Sequence, residues 1–108
     1  MLEKAIQDRL KTSTDEIADF CRRWQIVGLA LFGSVLRDDF KPDSDVDVIV
    51  AFAPEAHPTL FDMVRMQSEL EKTFGRKVDL ATRPGVESSR NPIRRQAILD
   101  SSRVIYGT

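Results

Sequence analysis

The sequence predicts an α/β (α+β) domain, a small mixed three-stranded sheet with helices packed against it. Three observations carry that expectation. Two short apolar runs, Ile26 to Phe32 and Val46 to Val50, have the length of buried strands and are separated by a polar loop. A third strand-like run, Lys77-Val78-Asp79-Leu80-Ala81, follows a long stretch with helical spacing. Segments of helical periodicity precede, separate and follow these runs, giving the order α-α-β-β-α-β-α.

Each element has its own signal. In MLEKAIQDRL, Ala5, Ile6 and Leu10 recur at helical spacing with charges between them, which reads as an amphipathic helix and not as an export signal. Thr12, Ser13 and Thr14 interrupt it. Ser13, with Glu16 three residues on, has the form of a capping box, and Ile17, Phe20, Cys21 and Trp24 then share a core-facing stripe. The run ending at Phe32 is stopped by Gly33-Ser34. Val35 to Phe40 is expected as a brief helix, and Lys41-Pro42-Asp43-Ser44 as a loop. Asp45-Val46-Asp47-Val48-Ile49-Val50 alternates at its front and is then wholly apolar, so one end is expected wet and the other buried. After a loop from Ala53 to Thr59, Leu60, Met63, Val64, Leu70 and Phe74 line a long helix that Gly75 caps. Pro84 and Gly85 break the third strand, and Pro92 opens a final helix carrying Ile93, Ala97, Ile98 and Val104.

Composition narrows the class. A single domain over residues 1–108 is expected, and 42% hydrophobic with 31% charged residues excludes the disordered and membrane classes. Cys21 is the only cysteine, so one chain can build neither a disulfide framework nor a cysteine-based metal site, and a cytoplasmic setting is expected. No apolar run approaches a membrane span. Lys plus Arg number 16 and Asp plus Glu 17, a net charge of −1 without the basic excess of a direct nucleic-acid binder. Arg83, Arg90, Arg94, Arg95 and Arg103 gather toward the carboxyl end, where a solvated helix face explains them as well as an acidic partner does. His57, beside Pro58, is expected in an exposed loop without a catalytic role, and Trp24 and Tyr106 are read as core or interface residues.

The chemistry concentrates between Leu31 and Asp47. A strand ending in Gly33-Ser34 exposes backbone N–H groups that attract phosphate oxygens; Gly33 allows close approach and the Ser34 hydroxyl adds a donor. Asp45 and Asp47, two apart on a strand, project from one face with Cα atoms about 6.5 Å apart. A hard cation relieves their repulsion, and magnesium suits an all-oxygen shell. Asp79, on another strand, completes the cluster if the two strands are neighbours, and three carboxylates can hold two metals. Each piece also has a structural reading: a common turn, aspartates at a strand entrance, or an Asp79 paired with Lys77 or Arg76. Their coincidence favours phosphate chemistry.

These residues resemble the small nucleotidyltransferases of the polymerase-beta superfamily, especially the minimal nucleotidyltransferase (MNT) antitoxins paired with HEPN-type toxins. The family motif is Gly-Ser, ten residues, then Asp-x-Asp; Gly33-Ser34, Val35 to Ser44 and Asp45-Val46-Asp47 match it without a gap. Arg37, Ser44 and Val78-Asp79-Leu80 extend the likeness, while Asp38 and Asp39 stand where many relatives have glycine. The resemblance implies a nucleotidyltransferase fold in which Gly33, Ser34, Arg37 and Ser44 bind the nucleotide. It implies that Asp45, Asp47 and Asp79 bind Mg2+ and that Asp79 helps to activate the acceptor hydroxyl. It further implies AMP transfer from ATP to a tyrosine of a HEPN-type toxin. With no acceptor-binding domain in view, a protein acceptor is expected; the alternatives are an antitoxin that silences its partner by binding alone, or an enzyme acting on a small molecule. A homo- or hetero-oligomer is compatible with either.

Overall fold

The computed structural model describes residues 4–33, 45–87 and 90–107. Its elements are α1 (Lys4–Leu10), α2 (Thr14–Arg23), β1 (Ile26–Phe32), β2 (Val46–Phe52), α3 (Leu60–Phe74), β3 (Val78–Thr82), α4 (Arg83–Glu87), α5 (Pro92–Ser101) and β4 (Arg103–Gly107). The strands lie in the order β3-β2-β1-β4. β1 is antiparallel to β2 and β4, and β2 is parallel to β3, so the sheet is mixed as expected. The parallel pair needs a crossover, which α3 provides. The brief helix expected over Val35 to Phe40 lies outside the described residues.

The strand count is four, not three. The final helix, expected to carry Val104, ends at Ser101, and Arg103–Gly107 pairs with β1 instead. Val104, Ile105 and Tyr106 are β-branched or aromatic, β1 offers an open edge, and Ile105 is buried there. The expected break at Pro84-Gly85 is also a short helix. Proline fits in the first turn of α4, where its missing N–H is no loss, and Gly85 N donates to Thr82 Oγ1 at 3.2 Å.

Period-two alternation divides the sheet into two faces. On one, Leu29, Leu31, Val46, Val48, Val50 and Val78 pack with Ile6 and Leu10 of α1, Ile17, Phe20 and Cys21 of α2, and Met66, Leu70 and Phe74 of α3. The other carries a smaller cluster, Ala30, Ile49 and Val86, with Phe32, Ala81 and Ile98 against it. The helices end where their side chains dictate. The Ser13 hydroxyl accepts from Glu16 N at 3.3 Å; at Thr59 and Asp62 both halves of a capping box form; and Gly75, at φ 69°, closes α3 in the left-handed conformation. Arg23 Nη1 and Nη2 reach the two Glu69 oxygens at 2.9 and 2.8 Å, and its Nε reaches Asp19 at 3.1 Å, which ties α2 to α3 and holds the guanidinium charged.

One expected face is corrected. Leu60 and Val64, expected beside Leu70 and Phe74, are 82% and 64% exposed, whereas Met66, whose type suggests helix packing, is buried. The inward stripe of α3 runs Met66, Leu70, Phe74 at four-residue steps, and Met63 is half-buried at its start. Among the described residues, no helix is long and apolar enough to cross a membrane.

Two expectations follow from burial. Leu70→Ala should destabilise by about 3 kcal/mol, whereas Leu60→Ala in the same helix should stay within about 0.5 kcal/mol, as read by urea denaturation. Burial pushes the Cys21 thiol up to about 12, so iodoacetamide at pH 8 should modify it only at the rate of global unfolding. Rapid labelling of the native chain would contradict that placement. The raised pKa contributes stability that is complete below the ordinary value of 9.0 and is lost as pH climbs from there toward 12.

Candidate active site

The β2–β3 register sets the geometry of the acidic residues. Val46 faces Val78, and Asp47 faces Asp79, as Cα partners. Because Val46 and Val78 are both buried in the large core, the aspartates between them must project from the opposite face. They emerge on adjacent strands about 4.8 Å apart, beyond the end of the smaller apolar cluster. On the far side of Asp47, its β1 partner is Phe32, half-buried, which gives the site an apolar wall. Asp47 is partly buried and Asp79 exposed.

Asp45 directly precedes β2 and is exposed, outside the paired register. Asp47 and Asp79 are therefore brought together by the sheet, while Asp45 stands at the mouth of the same strand end. Ser34, Arg37 and Ser44, the other nucleotide contacts expected from the sequence, lie outside the described residues. His57 is exposed as expected; with Trp24 it lines a cleft at the opposite end of the strands, where Ile26 meets Phe52, remote from Asp47.

Gly33 has a steric role that its motif position did not reveal. Its φ is 82°, a left-handed conformation open to glycine at little strain, and a Cβ there would collide with an Asp47 carboxylate oxygen and stand 3.4 Å from its Cγ. The space a side chain would fill at Gly33 is thus occupied by the Asp47 carboxylate. Phe32 is the other neighbour that sequence reasoning missed. Its alternation with Ala30 on β1 was the available signal, but it acquires meaning only when β2 is set beside it.

Two carboxylates on neighbouring strands of one face repel each other in the absence of a counter-charge. Among the described residues, no group of three His, Cys, Asp or Glu side chains is placed to hold a metal ion. The described donor set is thus smaller than the three-carboxylate cluster read from the sequence. A carboxylate pair in a partly solvated site, with remaining positions open to water and phosphate oxygens, is nonetheless the donor set that magnesium commonly takes. Oxygen-only ligands suit hard cations and disfavour zinc or copper.

Comparison with known proteins places this geometry in context. Residues 15–105 match the family described as nucleotidyltransferase domain. A Methanocaldococcus jannaschii protein, provisionally named a protein adenylyltransferase, is 33% identical over 76 residues, covering 70% of this chain and 73% of that one. A solved toxin–antitoxin complex with AMP-PNP contains a chain of the same fold, with TM-score 0.68 and 19% identity over 89% of this chain and 74% of its own. The complex of a tri-AMPylated Shewanella oneidensis HEPN toxin with its MNT antitoxin gives TM-score 0.60 and 20% identity, covering 88% of this chain and 70% of the matched one.

Gly33→Ala tests the steric constraint. It should lower stability by about 1–3 kcal/mol, through left-handed strain and displacement of Asp47, and weaken Mn2+ binding in the same protein. Parent-like values in both chemical denaturation and cation titration would show that Asp47 does not need the space.

Proposed function

Because the chain belongs to the nucleotidyltransferase domain family, we propose that it transfers AMP from ATP, with magnesium, to a tyrosine hydroxyl of a HEPN-type toxin and thereby acts as the toxin's antitoxin. The observation that carries this reading is the register that makes Asp47 and Asp79 Cα partners beside Gly33. Support for a protein acceptor comes from the M. jannaschii relative, and support for the toxin partner from the fold neighbours that are complexes with one.

In this proposal Gly33 and Ser34, with Arg37 and Ser44, hold the triphosphate, backbone N–H groups meeting the phosphate oxygens. Asp47 and Asp79, the facing pair, would hold magnesium, with Asp45 at the mouth of the same strand end as the third candidate ligand. The bound cation would neutralise charge on the phosphates and ease deprotonation of the acceptor. Asp79, the more exposed of the facing pair, takes the proton of the incoming hydroxyl. The acceptor oxygen then forms its bond to the α-phosphorus, the bond to the β-phosphate oxygen breaks, and pyrophosphate departs with that electron pair. Phe32 limits water on the side of Asp47 away from Asp79, which strengthens the electrostatic interactions there.

The deciding experiment incubates the chain with Mg2+, labelled ATP and the HEPN-type partner. AMP on a partner tyrosine is the expected result; a partner that is neutralised yet carries no label would establish inhibition by binding alone. Asp45→Asn and Asp47→Asn should each abolish transfer while the chain stays folded, since neither side chain belongs to the apolar core that sets the sheet register. Persisting transfer in both would overturn the assignment. Ser34→Ala should weaken ATP binding by about ten-fold only, because backbone donors remain; unchanged affinity would count against the cradle.

A further inference from the structure

Glu71 lies in the last turn of α3, seven residues before Val78, and performs two tasks at the turn into β3. Its main-chain oxygen accepts from Gly75 N at 2.9 Å, which ends the helix, and its side-chain Oε2 accepts from Val78 N at 3.0 Å, which fixes the start of the strand. The second bond is unusual in its placement. β3 is the edge strand, and its bonds to β2 in this stretch use Lys77, whose carbonyl accepts from Val46 N at 2.9 Å, and, by the parallel ladder, Asp79. Val78 N–H therefore points away from the sheet, on the open edge, where nothing in the ladder can satisfy it. Glu71 satisfies it from a partly buried position.

A carboxylate in a final helical turn opposes the helix dipole, so helix stability alone disfavours glutamate at this position. What it secures is the backbone immediately before Asp79. Val78 is buried in the large core and Asp79 faces Asp47, so any slippage at the strand start is transmitted to the facing aspartates.

We propose that Glu71 is a positioning residue for the metal-binding pair: by holding Val78 N–H, it sets the backbone from which Asp79 meets Asp47. The inference rests on the reading of Asp47 and Asp79 as cation ligands, and acts through the hydrogen-bond acceptor at residue 71, not through its charge.

The test compares Glu71→Gln, which keeps an acceptor oxygen, with Glu71→Ala, which does not. Amide exchange at Val78 and Asp79 in the metal-free chain, Mn2+ binding by calorimetry, thermal unfolding and AMP transfer are measured on each. Glu71→Ala should accelerate exchange at Val78 and weaken Mn2+ binding by about ten-fold, the lower end for groups that orient a metal ligand, while Glu71→Gln stays within about two-fold of the parent in both. If Glu71→Ala fails to fold, Glu71→Asp, one carbon shorter, takes its place with the same expected direction. Faster exchange with parent-like Mn2+ binding would make Glu71 a purely structural clamp and overturn the proposal; so would a Glu71→Gln variant as impaired as Glu71→Ala. A parent chain that binds Mn2+ through Asp47 and Asp79, responds at residue 71 as expected and yet transfers no AMP to any HEPN-type partner would defeat the functional reading and leave the positioning role standing.

Discussion

The parallel register of β2 against β3 is the constraint from which the rest follows. Val46, Val48, Val50 and Val78 are almost fully removed from water on one face of the sheet, and each such burial contributes roughly 1.5–3 kcal/mol. A slip of one residue would send those valines to the opposite face and turn Asp47 or Asp79 into the apolar core, where an unpaired carboxylate is strongly disfavoured. The hydrophobic side of the sheet therefore determines the polar side. No interaction between the aspartates is required to bring them together, since packing on the reverse face sets their register.

That arrangement explains why the two faces of this small sheet differ. The larger core, packed with α1, α2 and α3, holds most of the buried apolar side chains, and the smaller cluster of Ala30, Ile49 and Val86 lies on the face that carries Asp47 and Asp79. At the end of β1, Gly33 adopts a left-handed conformation, and its missing Cβ makes room for the Asp47 carboxylate. Glu71 extends the same logic to the other strand, with a side chain from α3 taking an edge N–H that the ladder cannot use.

The positions misread from the sequence share one cause, which is that local pattern does not say which neighbour a segment will meet. Val104 fits a continuing helix by spacing, but β1 had an unpaired edge and the β-branched run from Val104 to Ile105 could close it. Leu60 and Val64 are apolar at acceptable helical positions, yet they lie off the stripe of Met66, Leu70 and Phe74 that meets the core, and stay exposed. Asp45 looked equivalent to Asp47 by period-two spacing; pairing with β3 begins at Val46, so Asp45 stays exposed outside the register.

Several features needed only the sequence. The existence of β1, β2, α3 and β3, the end of β1 before Gly33, the cap at Gly75 and the burial of Cys21 are written in hydrophobic period and in the conformational preferences of single residues, which are local properties of the chain. Which residues oppose one another across strands was decided by tertiary structure alone: Asp79 against Asp47, Phe32 against Asp47, and Glu71 against the amide of Val78. Such pairings join segments far apart along the chain or across a turn, and they are fixed by the simultaneous burial of many apolar side chains, a sum that no single stretch of sequence contains.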